Sequence, residues 1–344
     1  MIMKKSGRVT LQQVADHAGV SRATASLIVR NSPSISEATR KKVLASMQEL
    51  GYVYDRIAAN LRSQSSSTIG VVVTDFANPY YSEFLTGVHH QLEKEGYTVF
   101  LATTFDSDAK QDNLLSTMLE HRVGGVILCP VSDNSPESIG KILKLDVPIV
   151  TAVREIPDLP CDYVGINYEK GVEMAIDHLI ENGHSRIAFL GGISDSSAWK
   201  KRYEGYVAAH KKARLPVDES LIFQSPVTRE GGAQTLGTSM KHEDPPTAVF
   251  CFNDLVAFGV MQRMRELNLQ PGSDLSVVGF DNVLEAETFY PSLTTVESFP
   301  KHIGMNAAGL LHKRIKDHIR DQERIILEPE LFVRASTGKN PLYN

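Results

Sequence analysis

Between Thr10 and Arg30 the chain reads TLQQVADHAGVSRATASLIVR, and its polar residues are the ones with something to offer a partner. Thr10, Ser21, Thr24 and Ser26 carry short hydroxyls suited to phosphate oxygens. Arg22 can reach a base edge, and Ala23 keeps the face small. These side chains need two short helices to hold them. Thr10 is a good N-cap for a helix from Leu11 to about His17 or Ala18, and Gly19 tolerates the left-handed backbone that closes it. Val20 plugs the corner and Ser21 caps the next helix. Val14, Ala15, Ala25, Ile28 and Val29 recur at helical spacing as one apolar seam, with alanines at 15, 18 and 25 allowing a close crossing. A plain helical hairpin has the same spacing; the polar rim favours a DNA-reading helix-turn-helix.

Ser36 then precedes an amphipathic helix that turns Val43, Met47 and Leu50 inward and stops at Gly51. Residues 1–65 hold 10 lysines and arginines against 4 acidic residues, a net of +6, in a chain whose formal net charge is −5, so the remainder carries −11. A basic N-terminal module on an acidic body is the footprint of a nucleic-acid anchor. Residues 8–53 read as this headpiece and 54–66 as a hinge and linker: a short helix from Arg56 to Leu61, including Ala58, then a serine-rich stretch. Leu61 has the character of an apolar wedge for a minor-groove base step.

The runs VTLQQVADHAGVSRATAS, SEATRKKVLASMQELGYV and RIAANLRSQSSSTIGVVV resemble the LacI family of transcriptional regulators. The resemblance continues through FANPYY (76–81), DHLIENGHSRIAFLGG (177–192), AVFCFNDLVAFGV (248–260), LSVVGFDN (275–282) and LTTVE (293–297). It implies that Leu61 is the intercalating hinge leucine and that Arg22, Ala23 and Leu27 read bases. The DNA-facing candidates are then Thr10, Leu11, Ser21, Arg22, Ala23, Thr24, Ser26, Leu27, Arg30, Ala58 and Leu61. Leu27 stands where many members carry an arginine, though a subset resembling the maltose-regulon repressor also has leucine there; it can offer only apolar contact, for example to a thymine methyl. Arg30 adds a phosphate contact, and Tyr54-Asp55 replace a common Pro-Asn. The expected target is a palindromic operator in double-stranded DNA, dominated by Arg22.

From about Ser67 onward (67–344), strand-like runs at 69–74, 97–104, 124–130, 148–152 and 186–192 alternate with helical stretches. Continuous apolar strands between helices argue for parallel sheets covered on both faces. A body of ~280 residues is large for one core, so two α/β lobes are expected. This resembles a periplasmic-binding-protein-like fold, in which small ligands sit at the carboxyl ends of the strands between lobes. Phe76, Asn78, Tyr80, Tyr81, Arg202, Asn253 and Asp281 are the effector-binding candidates. Competing readings exist: Asp254 as a dipole-favoured cap, Tyr80 and Tyr81 as packing, Arg202 as a surface ion pair. Val153 stands where sugar-responsive relatives often have Asp, which makes that wall more apolar and favours a less polar sugar derivative or a non-sugar effector. Arg154 next to it is a candidate for an anion.

Catalytic and cofactor motifs are missing: no G-x-S-x-G, P-loop or G-x-G-x-x-G occurs, and Ser197-Ala-Trp-Lys200 matches S-x-x-K without its partner motifs. No cofactor, metal or enzymatic activity is expected. The histidines read as surface or cap residues, and Cys129, Cys161 and Cys251 as reduced, buried thiols. With no apolar leader and no 18-residue apolar stretch, a cytoplasmic protein that does not meet the membrane is expected. The leading reading is a homodimeric repressor gated by a sugar or related metabolite. Its rival is a periplasmic-type binding protein with a helical appendage, against which the basic headpiece speaks. A sugar-processing enzyme ranks below both for want of paired acid and base. The resemblance implies that lobe closure changes hinge spacing across the dimer, and so operator affinity.

Overall fold

The computed structural model describes residues 9–29, 32–53, 66–131 and 136–343. They form two compact units, one within residues 1–65 and one from Ser66 onward.

The first unit is three helices: α1 (Leu11–Ala18), α2 (Arg22–Val29) and α3 (Glu37–Leu50). Thr10 and Gln13 close a capping box: the Gln13 amide donates to Thr10 Oγ1 and the Thr10 amide to Gln13 Oε1. Gly19 ends α1 at φ 61, a conformation that costs a residue with a Cβ far more than glycine. Ser36 caps α3 and Gly51 ends it in the left-handed region. Val14, Ala15, Ala18, Ala25, Ile28 and Val43 are buried together, with Leu11, Val20, Met47 and Leu50 packed around them. Val29, expected in this seam, is half-buried and lies outside the cluster.

The second unit holds two six-stranded sheets. In chain order its elements are β1 (Thr68–Val73), α4 (Pro79–Lys94), β2 (Thr98–Thr103), α5 (Asp108–Glu120), β3 (Gly125–Leu128), α6 (Pro136–Lys144), β4 (Ile149–Ala152), β5 (Asp162–Ile166), α7 (Tyr168–Glu181), β6 (Ile187–Leu190), α8 (Ser197–Lys212), β7 (Ile222–Phe223) and α9 (Arg229–Ser239). There follow β8 (Ala248–Cys251), α10 (Asp254–Glu266), β9 (Ser276–Asp281), a one-turn α11 (Glu285–Thr288), β10 (Thr294–Glu297), α12 (Pro300–Lys316), β11 (Arg324–Leu327) and β12 (Glu330–Phe332).

The first sheet runs β11-β5-β4-β3-β1-β2 and the second β12-β10-β9-β8-β6-β7. Every pairing is parallel except β10 with β12. Central strands β1, β3, β4, β6 and β8 are buried almost throughout, as their unbroken apolar runs require. The edge strand β2 departs from the expected two-sided cover, with Phe100 and Leu101 substantially exposed. The chain crosses between lobes three times: after β5, after β10 and after β11. Helix α12 thereby returns to the first lobe and crosses α4 at Gly87 and Gly304, where any side chain would strike the opposing backbone. The strand-like runs at 69–74, 97–104, 124–130, 148–152 and 186–192 fall on β1, β2, β3, β4 and β6. No described helix is long and apolar enough to cross a membrane.

Candidate functional site

Two surfaces bring the predicted residues together. On the headpiece, the Ser21 hydroxyl accepts from the Thr24 amide at 3.1 Å and lies 2.9 Å from the Thr24 hydroxyl. That cap fixes the start of α2, whose first turn presents Arg22 and Ala23 to solvent. Thr10 and Ser21 are exposed, and Thr24, Ser26 and Leu27 are half-buried. Leu11 is a partial exception, because its side chain packs against the headpiece core. Arg30, Ala58 and Leu61 lie outside the described residues.

In the body, a cavity of about 320 Å³ opens between the lobes at the carboxyl ends of their strands. The first lobe contributes Asn78, Tyr80, Tyr81, Phe105, Asp106, Val153 and Arg154; the second contributes Ile193, Ala198, Arg202, Phe252, Asn253 and Asp281. Six of the seven effector candidates are therefore in one place. Phe76 is the correction: it is 45% exposed and does not line the cavity, because the chain turns outward before Asn78 caps α4.

Arg202 dominates the floor. It is only 4% exposed, and its guanidinium carbon lies 4.3–4.4 Å from the ring centroids of Tyr168, Phe252 and Phe280. Three aromatic faces thus hold a desolvated cation. Its Nη1 donates to the Ala198 carbonyl at 3.1 Å, its Nε has no partner among the described residues, and its Nη2 stands 4.0 Å from Asp281 Oδ1. This excludes the surface ion pair considered from sequence. Asp281 ends β9 at φ 114, a backbone region rare for a residue with a Cβ, and accepts from the Ser298 hydroxyl at 3.2 Å. Burial pushes its carboxyl up to about 7, against the pull of Arg202 and the Ser298 hydrogen bond.

Above the floor, Tyr81 and Tyr80 meet edge to face at 5.2 Å. The Tyr81 hydroxyl accepts from Thr74 at 2.7 Å, whereas the buried Tyr80 hydroxyl has no partner among the described residues. Both are packed, as the alternative reading held, and both also face the cavity. Asn253 caps α10 through its Oδ1, leaving its amide nitrogen for the cavity. Val153 takes φ 69, and its carbonyl accepts from the Tyr168 hydroxyl at 2.9 Å. Arg154 does not stand free for an anion: it donates to Asp106 at 2.6 Å and to the Val131 carbonyl at 2.7 Å. Sequence reasoning missed Tyr168, Phe252, Phe105, Asp106 and Ile193. All follow strand ends, and that position was the one available signal.

Two further readings need correction. Asp254 is not merely a cap: it is buried, its Oδ1 accepts from the Thr295 hydroxyl at 2.5 Å and its Oδ2 from the Val283 amide at 2.9 Å, tying α10 to β10 and the segment after β9. His184 and His210 are buried rather than on the surface. His184 bridges Thr247, Ser276 and the Gly338 carbonyl. Cys129 and Cys251 are buried free thiols and Cys161 is partly buried, and burial pushes all three up.

A helix-turn-helix on a body with a polar cavity between two α/β lobes defines the class of ligand-responsive DNA-binding regulators. Residues 10–55 match the bacterial regulatory proteins of the lacI family, and residues 176–337 match the periplasmic binding protein-like domain. The HTH-type transcriptional repressor PurR of Vibrio vulnificus is 33% identical over 332 residues, covering 96% of this chain and 99% of that protein. Among solved structures, a complex of the transcriptional regulator CelR with cellobiose is 31% identical over 96% of this chain and all of that one, with a TM-score of 0.74. The lac repressor dimer bound to operator and the anti-inducer ONPF superposes with a TM-score of 0.85 at 25% identity, covering 96% and 99% of the two chains. This chain belongs to the lacI family of bacterial regulatory proteins. It is a DNA-binding transcriptional repressor under effector control, not an enzyme.

Proposed function

We propose that this repressor binds a palindromic operator as a homodimer in the cytoplasm and is switched by a small polyhydroxylated metabolite, a sugar or sugar derivative, held between the lobes. Residues 8–53 are the reading head, 54–66 the hinge and 67–344 the effector-binding and dimerising body. The observation that carries the reading is the floor of the cavity, where the buried Arg202 cation stands 4.0 Å from the Asp281 carboxyl. A vicinal diol offers oxygens to the one and hydroxyl protons to the other, satisfying both desolvated groups at once. Asn253 and Tyr80 supply further polar contacts, Asn78 closes one side, and Tyr81 packs beneath Tyr80. The CelR and Enterococcus faecium relatives bound to cellobiose and ribose support this ligand class.

On the head, Thr10, Ser21, Thr24 and Ser26 contact phosphates, Arg22, Ala23 and Leu27 read bases, and Leu11 buttresses the first helix beside the backbone. Arg30 adds a phosphate contact, while Ala58 and Leu61 act at the minor groove. Because the cavity is built from both lobes, a bound ligand favours one lobe arrangement over the other, and that preference passes through 54–66 to the heads. Thermal-shift screening of sugars, phosphosugars and aromatic acids on the full chain, followed by operator binding with each hit, tests this. A polyol that raises the melting temperature and changes operator affinity supports it; hits confined to aromatic acids overturn the ligand class.

A further inference from the structure

The second lobe contains another cavity, of about 560 Å³, at the opposite end of its sheet from the effector site. It opens beside the amino-terminal ends of β6 and β7, between α8 and the segment leading into β7. Leu215, Val217, Leu221 and the Tyr206 ring make its apolar wall.

One lining side chain is buried and incompletely satisfied. His210 is 1% exposed, and its Nδ1 lies 2.9 Å from the Tyr206 carbonyl four residues earlier on α8. A carbonyl only accepts, so Nδ1 carries the proton and Nε2 keeps a lone pair. No described residue hydrogen-bonds that Nε2. Burial holds the imidazole below its ordinary range, so the ring is neutral near pH 7. His210 lines the cavity, so that acceptor is open to a ligand N–H or O–H.

The rim selects the sign of charge. Asp218 and Glu219 line the cavity. The wall's arginine, Arg186, is already engaged by Asp218 at 3.2 Å and by the Asp244 carbonyl at 2.6 Å, with the Asp244 carboxylate at 3.0 Å. The Ser220 hydroxyl and amide and Arg186 hold Asp218 below the usual carboxylate range, so it is charged. Arg186 and Asp218 offset each other and the Tyr203 hydroxyl donates to Glu219, but carboxylates outnumber the one lining arginine, so the rim favours an ammonium over an anion.

We infer that this cavity is a second small-molecule site, taking a primary amine with a compact apolar body: the ammonium sits among His210 Nε2 and the rim carboxylates, and the body lies on Tyr206 and Leu221. The site is separate from the inter-lobe effector cavity and does not depend on how that cavity is read. The test uses 2-phenylethylamine, with 3-phenylpropionate as the isosteric anion, on the full-length ¹⁵N-labelled protein. The amine is expected to move the His210 Nε2 resonance and to bind at least tenfold tighter than the carboxylate. His210→Phe should weaken it at least tenfold, and Tyr80→Phe in the effector cavity should leave it unchanged. If His210→Phe does not fold, the nitrogen resonance of the unaltered protein decides. Equal binding of acid and amine, an unmoved Nε2 at saturation, no binding at millimolar amine, or loss of binding in Tyr80→Phe overturns the inference.

Discussion

Lys201 Nζ, on α8 of the second lobe, donates to Glu155 Oε2 of the first at 3.1 Å, and Arg324 grips the same carboxylate through two hydrogen bonds of 2.7 Å. Glu155 is held below its ordinary carboxylate range by these partners. Lys201 neighbours Arg202 in sequence, and Glu155 neighbours Arg154, so this tie between the lobes borders the effector cavity at both ends. Such a half-exposed pair adds little to stability, on the order of 1 kcal/mol or less. It does bias the lobe arrangement. Lys201→Met should therefore change melting temperature slightly while weakening the effector several-fold, because the ligand must supply the closure that the tie supplied. Calorimetric titration beside thermal unfolding checks this; equal losses in both would assign Lys201 a purely structural part.

Asp281 gives a pH dependence. Its folded value of about 7 lies above the 3.8 of an unperturbed aspartate, so burial of its charge imposes no penalty below about pH 4 and its full penalty above about pH 7. The stability contribution of the neutral form is lost as pH rises through 7. Asp281→Asn removes that loss, so the variant should gain on the unaltered protein between pH 5 and pH 8 by a few kcal/mol at most. Denaturant unfolding at the two pH values measures it, and a pH-independent difference would contradict the burial of an ionisable group here.

Arg22 is exposed at the start of α2, where the proposed function has it read a base. Arg22→Ala should cost about 1–3 kcal/mol at one base position and flatten preference there, while Ser21→Ala should weaken all sequences alike through loss of the cap and a phosphate contact. Binding to a set of single-base operator variants separates the two. Uniform weakening by Arg22→Ala would place that arginine on phosphate instead.

His184 joins three segments far apart in the chain through Thr247, Ser276 and Gly338, and burial lowers it below its ordinary value. His184→Leu takes a partner from the half-buried Thr247 hydroxyl and leaves the buried Ser276 hydroxyl and the Gly338 carbonyl to each other, and should destabilise by about 1–3 kcal/mol, with no direct effect on operator contacts. Chemical denaturation of the variant reads this directly. A loss below 1 kcal/mol would mean that the imidazole adds nothing to the Ser276–Gly338 pair and that water replaces it at Thr247.

The headpiece was legible because its signals are local. Thr10 with Gln13, Gly19 and Ser36 are caps whose partners lie within three or four residues, so spacing alone places three helices. The central strands were legible from unbroken apolar runs. What escaped depends on residues distant in sequence. Strand β5 begins with Asp162, which looks unfit for a buried strand until Arg314, 152 residues later, donates to it at 2.8 Å and 3.1 Å. His184 and Asp254 read as surface or cap residues for the same reason. In the cavity, Arg202, Asn253 and Asp281 carried a recognisable pattern. The aromatic cradle did not, because Tyr168, Phe252 and Phe280 converge only after the sheet is assembled. Phe76 shows the reverse error: it follows a strand like its neighbours, and the turn before α4 carries it outward.

Operator affinity of the full chain, measured by fluorescence anisotropy at fixed salt against a palindrome selected from random DNA, tests the central claim most directly when repeated with a polyol that raises the melting temperature. At least a tenfold change in affinity with that ligand is expected, absent in Asp281→Asn. An operator affinity indifferent to every stabilising ligand, or a response that survives in Asp281→Asn, would contradict it.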